Sequence, residues 1–222
     1  MDIGKALGDS YEYAVEAVWG KWVRWILLLV CSILFPLMIG YQMQVYRGIK
    51  PAPELTDWVK LLVDGIKLLI ICLIYLIPFL AIFFLTVGTA IITAVAEGSL
   101  SAGMWAGIAG GILLAIIVLI LTILILVIAE VRFARTDKFG EAFNISAILA
   151  HIGKIGWGSY LLALIIFIIV VMVLAFILAI IGMIPLIGWL IQMFLGVPLA
   201  LFGARYTTLL YDSAGPAPAP AP

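Results

Sequence analysis

Residues 104–129 read MWAGIAGGILLAIIVLILTILILVIA, 26 residues without one acidic, basic or histidine side chain. Residues 68–96 and 157–184 also contain no Asp, Glu, Lys, Arg or His. A helix needs about 20 apolar residues to cross a hydrocarbon core roughly 30 Å thick, and each of these runs exceeds that length. A water-soluble domain of this size could not bury so much apolar surface, so the sequence predicts a polytopic membrane protein.

The composition of the chain agrees with that class. Of 222 residues, 66% are hydrophobic and 11% are charged, whereas soluble proteins average about 25% charged residues. The length predicts one membrane domain, residues 1–213, followed by a disordered Pro/Ala-rich tail, residues 214–222. Twelve basic and twelve acidic residues cancel, so the charge balance gives no reason to expect a nucleic-acid partner. Cys31 and Cys72 lie within apolar runs, which predicts no disulfide framework.

The predicted fold class is all-α, an integral membrane helical bundle with four or five membrane segments plus amphipathic interfacial helices. Three stretches have amphipathic helical periodicity, namely residues 3–22, residues 54–67 and the stretch that begins at Phe139. The predicted apolar faces are Ile3, Leu7, Tyr11, Ala14, Val18 and Trp22 in the first, Leu55, Trp58, Val59, Leu62 and Ile66 in the second, and Ile145, Ile148, Leu149 and Ile152 in the third. The opposite face of the second, with Asp57, Lys60, Asp64 and Lys67, is predicted to be solvated and linked by salt bridges.

Prolines interrupt several apolar runs. Pro36 lies in the run 25–46, Pro78 should kink the run 68–96, and Pro198 should break the last run, 186–204. The run 25–46 either spans the membrane or turns back as a re-entrant hairpin at Pro36. The sequence leaves both alternatives open.

The distribution of basic residues predicts the orientation. Residues 45–67 and 130–156 each hold four basic residues, whereas the connections 97–103 and 183–187 hold none. By the positive-inside rule, the two basic regions and the C-terminus face the cytoplasm. Lys5, Lys21 and Arg24 also favour a cytoplasmic N-terminus, which a re-entrant 25–46 segment would allow and a spanning one would not.

Three glycines open the run 104–129 at four-residue intervals, namely Gly103, Gly107 and Gly111. Glycines on one helical face allow another helix backbone to approach closely, which is the small-xxx-small packing pattern. The spacing therefore predicts a helix-packing seam, either inside one bundle or between copies of the chain.

Two acids at the ends of long apolar runs, Glu97 and Glu130, are further candidates, because ionisable residues at membrane depth are often functional. No charged residue falls in the middle of an apolar run, which argues against ion-coupled transport. The single histidine, His151, has no Cys or His at ligand spacing, so we expect an interfacial residue rather than a base or a metal ligand. The sequence predicts no catalytic, cofactor-binding or metal-binding residues.

Several stretches resemble an archaeal membrane family of unknown function whose members come chiefly from methanogens. The first is Tyr46-Arg-Gly-Ile-Lys-Pro-Ala-Pro-Glu-Leu-Thr-Asp-Trp with the following Leu-Leu-Val-Asp-Gly-Ile-Lys. Its hallmark positions correspond to Pro53, Glu54, Asp57, Trp58, Leu61, Asp64, Gly65 and Lys67. Also similar are Phe139-Gly-Glu-Ala-Phe-Asn, Ile155-Gly-Trp-Gly-Ser-Tyr, Ile184-Pro-Leu-Ile-Gly-Trp and Gly203-Ala-Arg-Tyr-Thr-Thr-Leu-Leu-Tyr-Asp. The resemblance covers nearly the whole chain except the tail, and implies a helical bundle in an archaeal plasma membrane with no established activity.

The leading functional hypothesis is a non-enzymatic scaffold that self-assembles, organises the membrane and associates with lipid. The alternative is a permease or channel for a small neutral or apolar solute. A lipid-modifying enzyme ranks third, since no catalytic cluster is found. The expected partners are membrane lipids and further copies of the chain, with other membrane proteins as a further possibility.

Overall fold

The computed structural model describes residues 2–97, 101–185 and 187–215, and within that part helices are joined by loops and turns, without a strand. The eight α-helices are α1 (Ile3–Val18), α2 (Trp22–Ile33), α3 (Phe35–Tyr46), α4 (Trp58–Glu97), α5 (Ala102–Thr136), α6 (Ile145–Ile155), α7 (Trp157–Gly182) and α8 (Ile187–Asp212). A short 3-10 helix, Phe139–Phe143, precedes α6. The predicted all-α class is confirmed. Most of the predicted tail, residues 216–222, lies outside the described part.

Four of the described helices, α4, α5, α7 and α8, are long and apolar enough to cross a membrane. The run 25–46 is not one of them, because the helix stops at Leu34, whose φ of −87° and ψ of 66° are not helical. The resulting α2 and α3 have 12 residues each. A 12-residue helix is about 18 Å long, well short of the roughly 30 Å hydrocarbon core.

The chain divides into two compact units. The first contains Met1–Leu69 and Ile128–Pro222, and the second is Ile70–Val127. In the first unit α8 is the central helix, since it contacts α1, α2, α3, α6 and α7. Its C-terminal half is largely buried, including Leu201, Tyr206 and Leu210. The second unit consists of the apolar parts of α4 and α5.

The predicted packing face at the beginning of α4 is wrong. Val59, Leu62 and Ile66 are exposed, whereas Asp64 is 4% exposed and packs on the inside. The other buried residues of this turn are Leu61, Gly65 and Leu68. The buried side of this helix is therefore the one that carries Asp64 and the small Gly65, and both apolar and charged side chains lie on its outer side. Of the four residues predicted on the solvated face, Asp57, Lys60 and Lys67 are exposed as expected, and only Asp64 is buried.

Helix boundaries and faces differ from the prediction elsewhere as well. Helix α1 ends at Val18 rather than at residue 22, because the chain turns through Gly20 with a φ of +72°. Tyr13 is buried in α1 and Tyr11 is exposed, so the packing face is rotated from the predicted one. Helix α4 begins at Trp58 instead of Glu54, and α6 begins at Ile145 instead of Phe139. Asp57 accepts a hydrogen bond from the Lys60 amide at 3.0 Å and thereby caps α4.

Two glycines allow α3 and α4 to touch at the backbone. A β-carbon at Gly40 would overlap the carbonyl oxygen of Leu61, and one at Gly65 would overlap the carbonyl oxygen of Pro36. Such contact requires residues without side chains on both helices, as in other small-residue crossings. Gly65 is one of the hallmark positions named above.

Pro198 does not break α8, which continues from Ile187 to Asp212. A proline inside a helix has no N–H, so the carbonyl four residues earlier, here that of Phe194, loses its helical donor. The indole Nε1 of Trp25 donates to that carbonyl oxygen at 2.9 Å. Neighbouring side chains commonly satisfy freed backbone groups in membrane helices. Helix α2 thus supplies the hydrogen-bond donor that allows α8 to remain helical on both sides of Pro198.

Replacing Trp25 with Phe should therefore destabilise the protein by about 1 kcal/mol, since it leaves the half-buried carbonyl of Phe194 without a donor. The measurement is the free energy of unfolding in a detergent titration. Trp22 stacks on Trp25 with ring centroids 5.5 Å apart but is largely exposed, so Trp22→Phe is the control and should change stability by less than about 0.5 kcal/mol. Equal losses in the two variants would contradict this role of the indole.

Candidate functional site

The glycines of the predicted seam have different surroundings, all within the second unit. A β-carbon at Gly111 would overlap the side chain of Thr86, so this glycine packs against α4. Gly103 and Gly107 are exposed. A β-carbon at Gly107 would meet nothing within 4 Å, and one at Gly103 would meet only the hydroxyl of Ser101, at 3.9 Å. Gly111 therefore takes part in a helix contact within the chain, whereas Gly103 and Gly107 have no neighbouring helix in close contact.

Of the two boundary acids, only Glu97 falls at the expected helix end, because α5 continues beyond Glu130 to Thr136. Glu97 is the last residue of α4, and its side chain lies outside the described part. Glu130 is half-buried in α5 and accepts a hydrogen bond from the hydroxyl of Tyr46 at 3.0 Å. Glu130 thus connects α3 with α5.

Arg47, immediately after α3, contacts two carboxylates. Its Nη1 donates to Oδ2 of Asp64 at 2.7 Å, and its Nη2 donates to Oδ1 of Asp137 at 3.3 Å. The Asp64 side chain is 6% exposed, whereas that of Asp137 is mostly exposed. The predicted pairing of Asp64 with Lys60 is wrong, because Asp64 faces inward to Arg47. One guanidinium joins the end of α3, the beginning of α4 and the residue that follows α5.

Arg135 makes a second junction in the same unit. Its Nη2 donates to both carboxylate oxygens of Asp212 at 2.9 Å, and its Nε donates to the carbonyl of Tyr46 at 2.7 Å. Bidentate contacts between guanidinium and carboxylate are strong and directional. Gly48, at a φ of +83°, leaves room for this guanidinium, since a β-carbon there would lie 2.8 Å from Nη2. The ends of α3, α5 and α8 are held together by one side chain.

A third junction attaches the N-terminal helix to α8. Arg205 donates through Nε to Asp9 at 2.7 Å, and Lys50 donates to the other oxygen of Asp9 at 2.8 Å. The Arg205 side chain is 9% exposed, and its guanidinium lies 5.4 Å from the centre of the Tyr13 ring. The hydrogen bond from Arg205 lowers the pKa of the Asp9 carboxyl. Asp9 therefore stays ionised and bonded to both cations at neutral pH.

His151 has the packing role expected for it. Its Nε2 lies 2.9 Å from the carbonyl oxygen of Tyr211, and its ring stacks on the Tyr211 ring with centroids 3.9 Å apart. Burial lowers the pKa of His151, which favours the neutral form of the ring. Arg132 donates through Nε to Glu141 at 2.9 Å, and this hydrogen bond lowers the pKa of Glu141.

These contacts hold helices together. No group of three His, Cys, Asp or Glu residues that could hold a metal ion occurs among the described residues. In the second unit, a groove of about 350 Å³ contains Thr86, Thr89 and Thr93. Each of their hydroxyls donates to a carbonyl of the same helix, at 2.6 to 2.8 Å. Each hydroxyl thus has its proton bonded within its own helix and retains acceptor lone pairs.

The sequence reasoning missed Arg47, Arg135, Arg205 and Asp9 as an interacting set. The available signal was the concentration of basic residues in the stretches 45–67 and 130–156, which was assigned to orientation alone. Partners separated by 77 to 196 residues, such as Arg135 with Asp212 and Arg205 with Asp9, are not connected by any local pattern.

The four long apolar helices define the class of this chain as an all-α multi-pass membrane protein. The sequence model of the family described as "Protein of unknown function (DUF4013)" matches residues 25–183. That match covers well over half of the chain, and the chain belongs to this family. No curated protein and no solved structure matches the sequence of this chain.

Replacing Arg47 with Met should destabilise the protein by about 3 kcal/mol, because it leaves the carboxylate of Asp64 buried without its cation. The control is Lys50→Met, which removes the cation of a half-exposed pair with Asp9 and should cost about 1 kcal/mol or less. Both are measured as free energies of unfolding in mixed micelles.

The double variant Arg47→Met with Asp64→Leu tests the mechanism. Removing both charges eliminates the uncompensated carboxylate, so the double variant should be more stable than Arg47→Met alone. If it were less stable than the single variant, the loss would come from packing and not from a stranded charge.

Proposed function

We propose that this protein is a non-enzymatic scaffold of the archaeal plasma membrane, which self-assembles through exposed helix faces and associates with lipid. The observation that carries the proposal is the open glycine face of α5. Gly103 and Gly107 lie one helical turn apart, both are exposed, and the space that a β-carbon would occupy at Gly107 is empty to 4 Å. Gly107 also lines the groove that contains Thr86, Thr89 and Thr93 of α4. Because helices in lipid associate where small residues let their backbones approach, a helix of a second copy would pack at this groove.

The apolar surface of the second unit supports the same proposal. Large side chains are exposed along both of its helices, among them Phe84, Leu85, Ile92, Trp105, Leu113 and Leu121. Lipid alone can cover such a surface, so exposure by itself does not require a partner. Together with the open glycines, it provides a face on which a further helix can pack at close range.

The paired charges of the first unit support a non-enzymatic role. Arg47, Arg135 and Arg205 each bond to a carboxylate, and His151 is engaged by Tyr211. A general acid or base needs a reacting group within hydrogen-bond reach. In the part of the chain that the structure describes, these side chains form their hydrogen bonds with other helices or helix ends instead.

Contacts between the flanks of α2 and α3 support a re-entrant arrangement of residues 25–46. Arg24, just before the run, lies 3.4 Å from Glu54 after it. Asp9, earlier still, bonds to Lys50 at 2.8 Å. If the run crossed the membrane, the polar loop that carries Lys50 and Glu54 would have to return through hydrocarbon, where an exposed irregular backbone is not tolerated. The re-entrant arrangement keeps all basic clusters on the cytoplasmic side.

Labelling of single cysteines tests this topology. In a variant with Cys31 and Cys72 replaced by Ala, a cysteine is introduced in place of Lys5, Ser101 or Lys138. In sealed right-side-out vesicles, a membrane-impermeant maleimide should label only Ser101→Cys, and the other two should react after permeabilisation. Labelling of Lys5→Cys from outside, with Lys138→Cys protected, would restore the five-span arrangement.

A small-solute permease or channel is the second candidate. The observation that favours it is a cavity of about 400 Å³ among α3, α7 and α8, lined in part by Gln42, Tyr46, Phe167, Gly196 and Thr207. Its few polar groups would suit a neutral or apolar solute. Solute uptake into liposomes that contain the purified protein would support this candidate, and a continuous polar pore through one subunit would do the same.

Replacing Gly107 with Leu should weaken self-assembly before it unfolds the monomer, since the new side chain holds the second helix away. The matched control is Ala109→Leu, at an exposed position about 200° around the same helix. The mass of the particles in mild detergent measures assembly, and thermal unfolding measures the integrity of the monomer.

Two results would remove the glycine seam as an assembly site. One is an unchanged particle mass for Gly107→Leu, and the other is a wild-type protein that is monomeric both in mild detergent and in native membranes. Equal effects of Gly107→Leu and Ala109→Leu would show that bulk anywhere on α5 disturbs assembly, which also contradicts a specific seam.

A further inference from the structure

A cavity of about 550 Å³ opens beside the beginning of α2. Its lining includes Lys21, Trp22, Arg24, Leu27, Glu54 and Leu55. The volume falls within the range of ordinary small-molecule sites, about 300–1,000 Å³. Two cations and one carboxylate face this space, so the lining carries a net positive charge.

The two cations have hydrogen-bonding capacity that the described residues do not use. Lys21 is exposed and forms no ion pair within the part of the chain that the structure describes. Arg24 contacts Glu54 through Nη2 at 3.4 Å, which is a long contact. Its Nη1 is buried without a hydrogen-bond partner among the described residues, so it contributes positive charge beside the cavity and not an accessible donor. An anion with several acceptor oxygens is the chemical group that the exposed Lys21 ammonium and the neighbouring Arg24 cation would attract.

The helix that begins at this cavity is apolar on its outer side. Trp22, Val23, Ile26, Val30 and Ile33 are exposed, and Trp25, Leu28 and Cys31 pack inward. Trp19 is also exposed just before the cavity. Exposed tryptophans are characteristic of the headgroup level of a bilayer. The polar cavity and the apolar stripe thus follow one another along a single helix, as the headgroup and chains of a lipid do.

We propose that this cavity binds the phosphate of an anionic phospholipid, with the acyl chains lying along the exposed stripe of α2. The occupant is a membrane lipid rather than a soluble anion, because the stripe provides apolar surface that only an amphiphile uses. The surrounding medium supplies such a ligand, since four helices of this chain are long and apolar enough to cross a bilayer. The inference rests on the lipid-associated part of the proposed function and not on self-assembly.

The experiment uses the full chain in mild detergent and native mass spectrometry, with phosphatidylglycerol and phosphatidylcholine of identical acyl chains as probes. The wild type should bind phosphatidylglycerol at least about fivefold more tightly, as expected for one basic residue near an anionic headgroup. Lys21→Gln should remove about that factor. The control Lys154→Gln changes an exposed lysine of the interfacial helix α6 and should leave binding as in the wild type.

A second variant tests the cavity without changing charge. Leu55→Trp adds volume in the lining and should reduce phosphatidylglycerol binding while Lys21 and Arg24 remain in place. Thermal unfolding of each variant establishes that it is folded. The same spectra give the oligomeric mass. A wild-type protein that is monomeric but prefers phosphatidylglycerol would contradict the glycine seam alone, and a wild-type oligomer without that preference would contradict this site alone.

Three results would overturn the proposal. Equal affinity for the two lipids would mean that headgroup charge is not recognised. Equal losses in Lys21→Gln and Lys154→Gln would indicate general surface attraction instead of a site. Binding of glycerol 3-phosphate as tight as that of phosphatidylglycerol would assign the cavity to a soluble anion.

Discussion

The guanidinium of Arg47 lies between Asp64 of α4 and Asp137 after α5, and three parts of the chain depend on that arrangement. A carboxylate as buried as Asp64 is tolerated only with a cation in contact. Other polar groups in the first unit likewise have a hydrogen-bond partner on another helix. Arg135 donates to Asp212 and to the Tyr46 carbonyl, and Trp25 donates to the Phe194 carbonyl, which Pro198 leaves without a helical donor.

These contacts explain how short apolar helices remain fixed among long ones. Between helices in lipid the hydrophobic effect is weak, because the lipid chains are as apolar as the side chains. Directional bonds and close backbone contact therefore decide the packing. In the first unit both are present, as ion pairs at the helix ends and as the Gly40 and Gly65 contacts between α3 and α4.

The functional proposal is based on the surface features that take no part in contacts between the helices of the chain. The paired charges of the first unit hold helices, and the threonine hydroxyls of the second bond to their own helix. The features left open are a glycine face on α5, an apolar stripe on α2, and a cationic cavity where that stripe begins. Contacts with another copy and with lipid would use these features, and a membrane scaffold needs both kinds of contact.

The sequence by itself determined the fold class and the positions of the long helices, because the free energy of inserting a segment into lipid is a sum over its own residues. It also identified the glycines of α5 and the acids at the ends of two apolar runs, Glu97 and Glu130, as candidates, although α5 continues beyond Glu130 to Thr136. Only the tertiary structure decided which side of α4 faces inward and which carboxylate each arginine meets. Apolar periodicity marks one side of a helix, but when lipid is the solvent that side can face outward, as Val59 and Ile66 do. The break at Leu34 and the continuity through Pro198 were equally undecidable, since the donor for the Phe194 carbonyl comes from Trp25, 169 residues away.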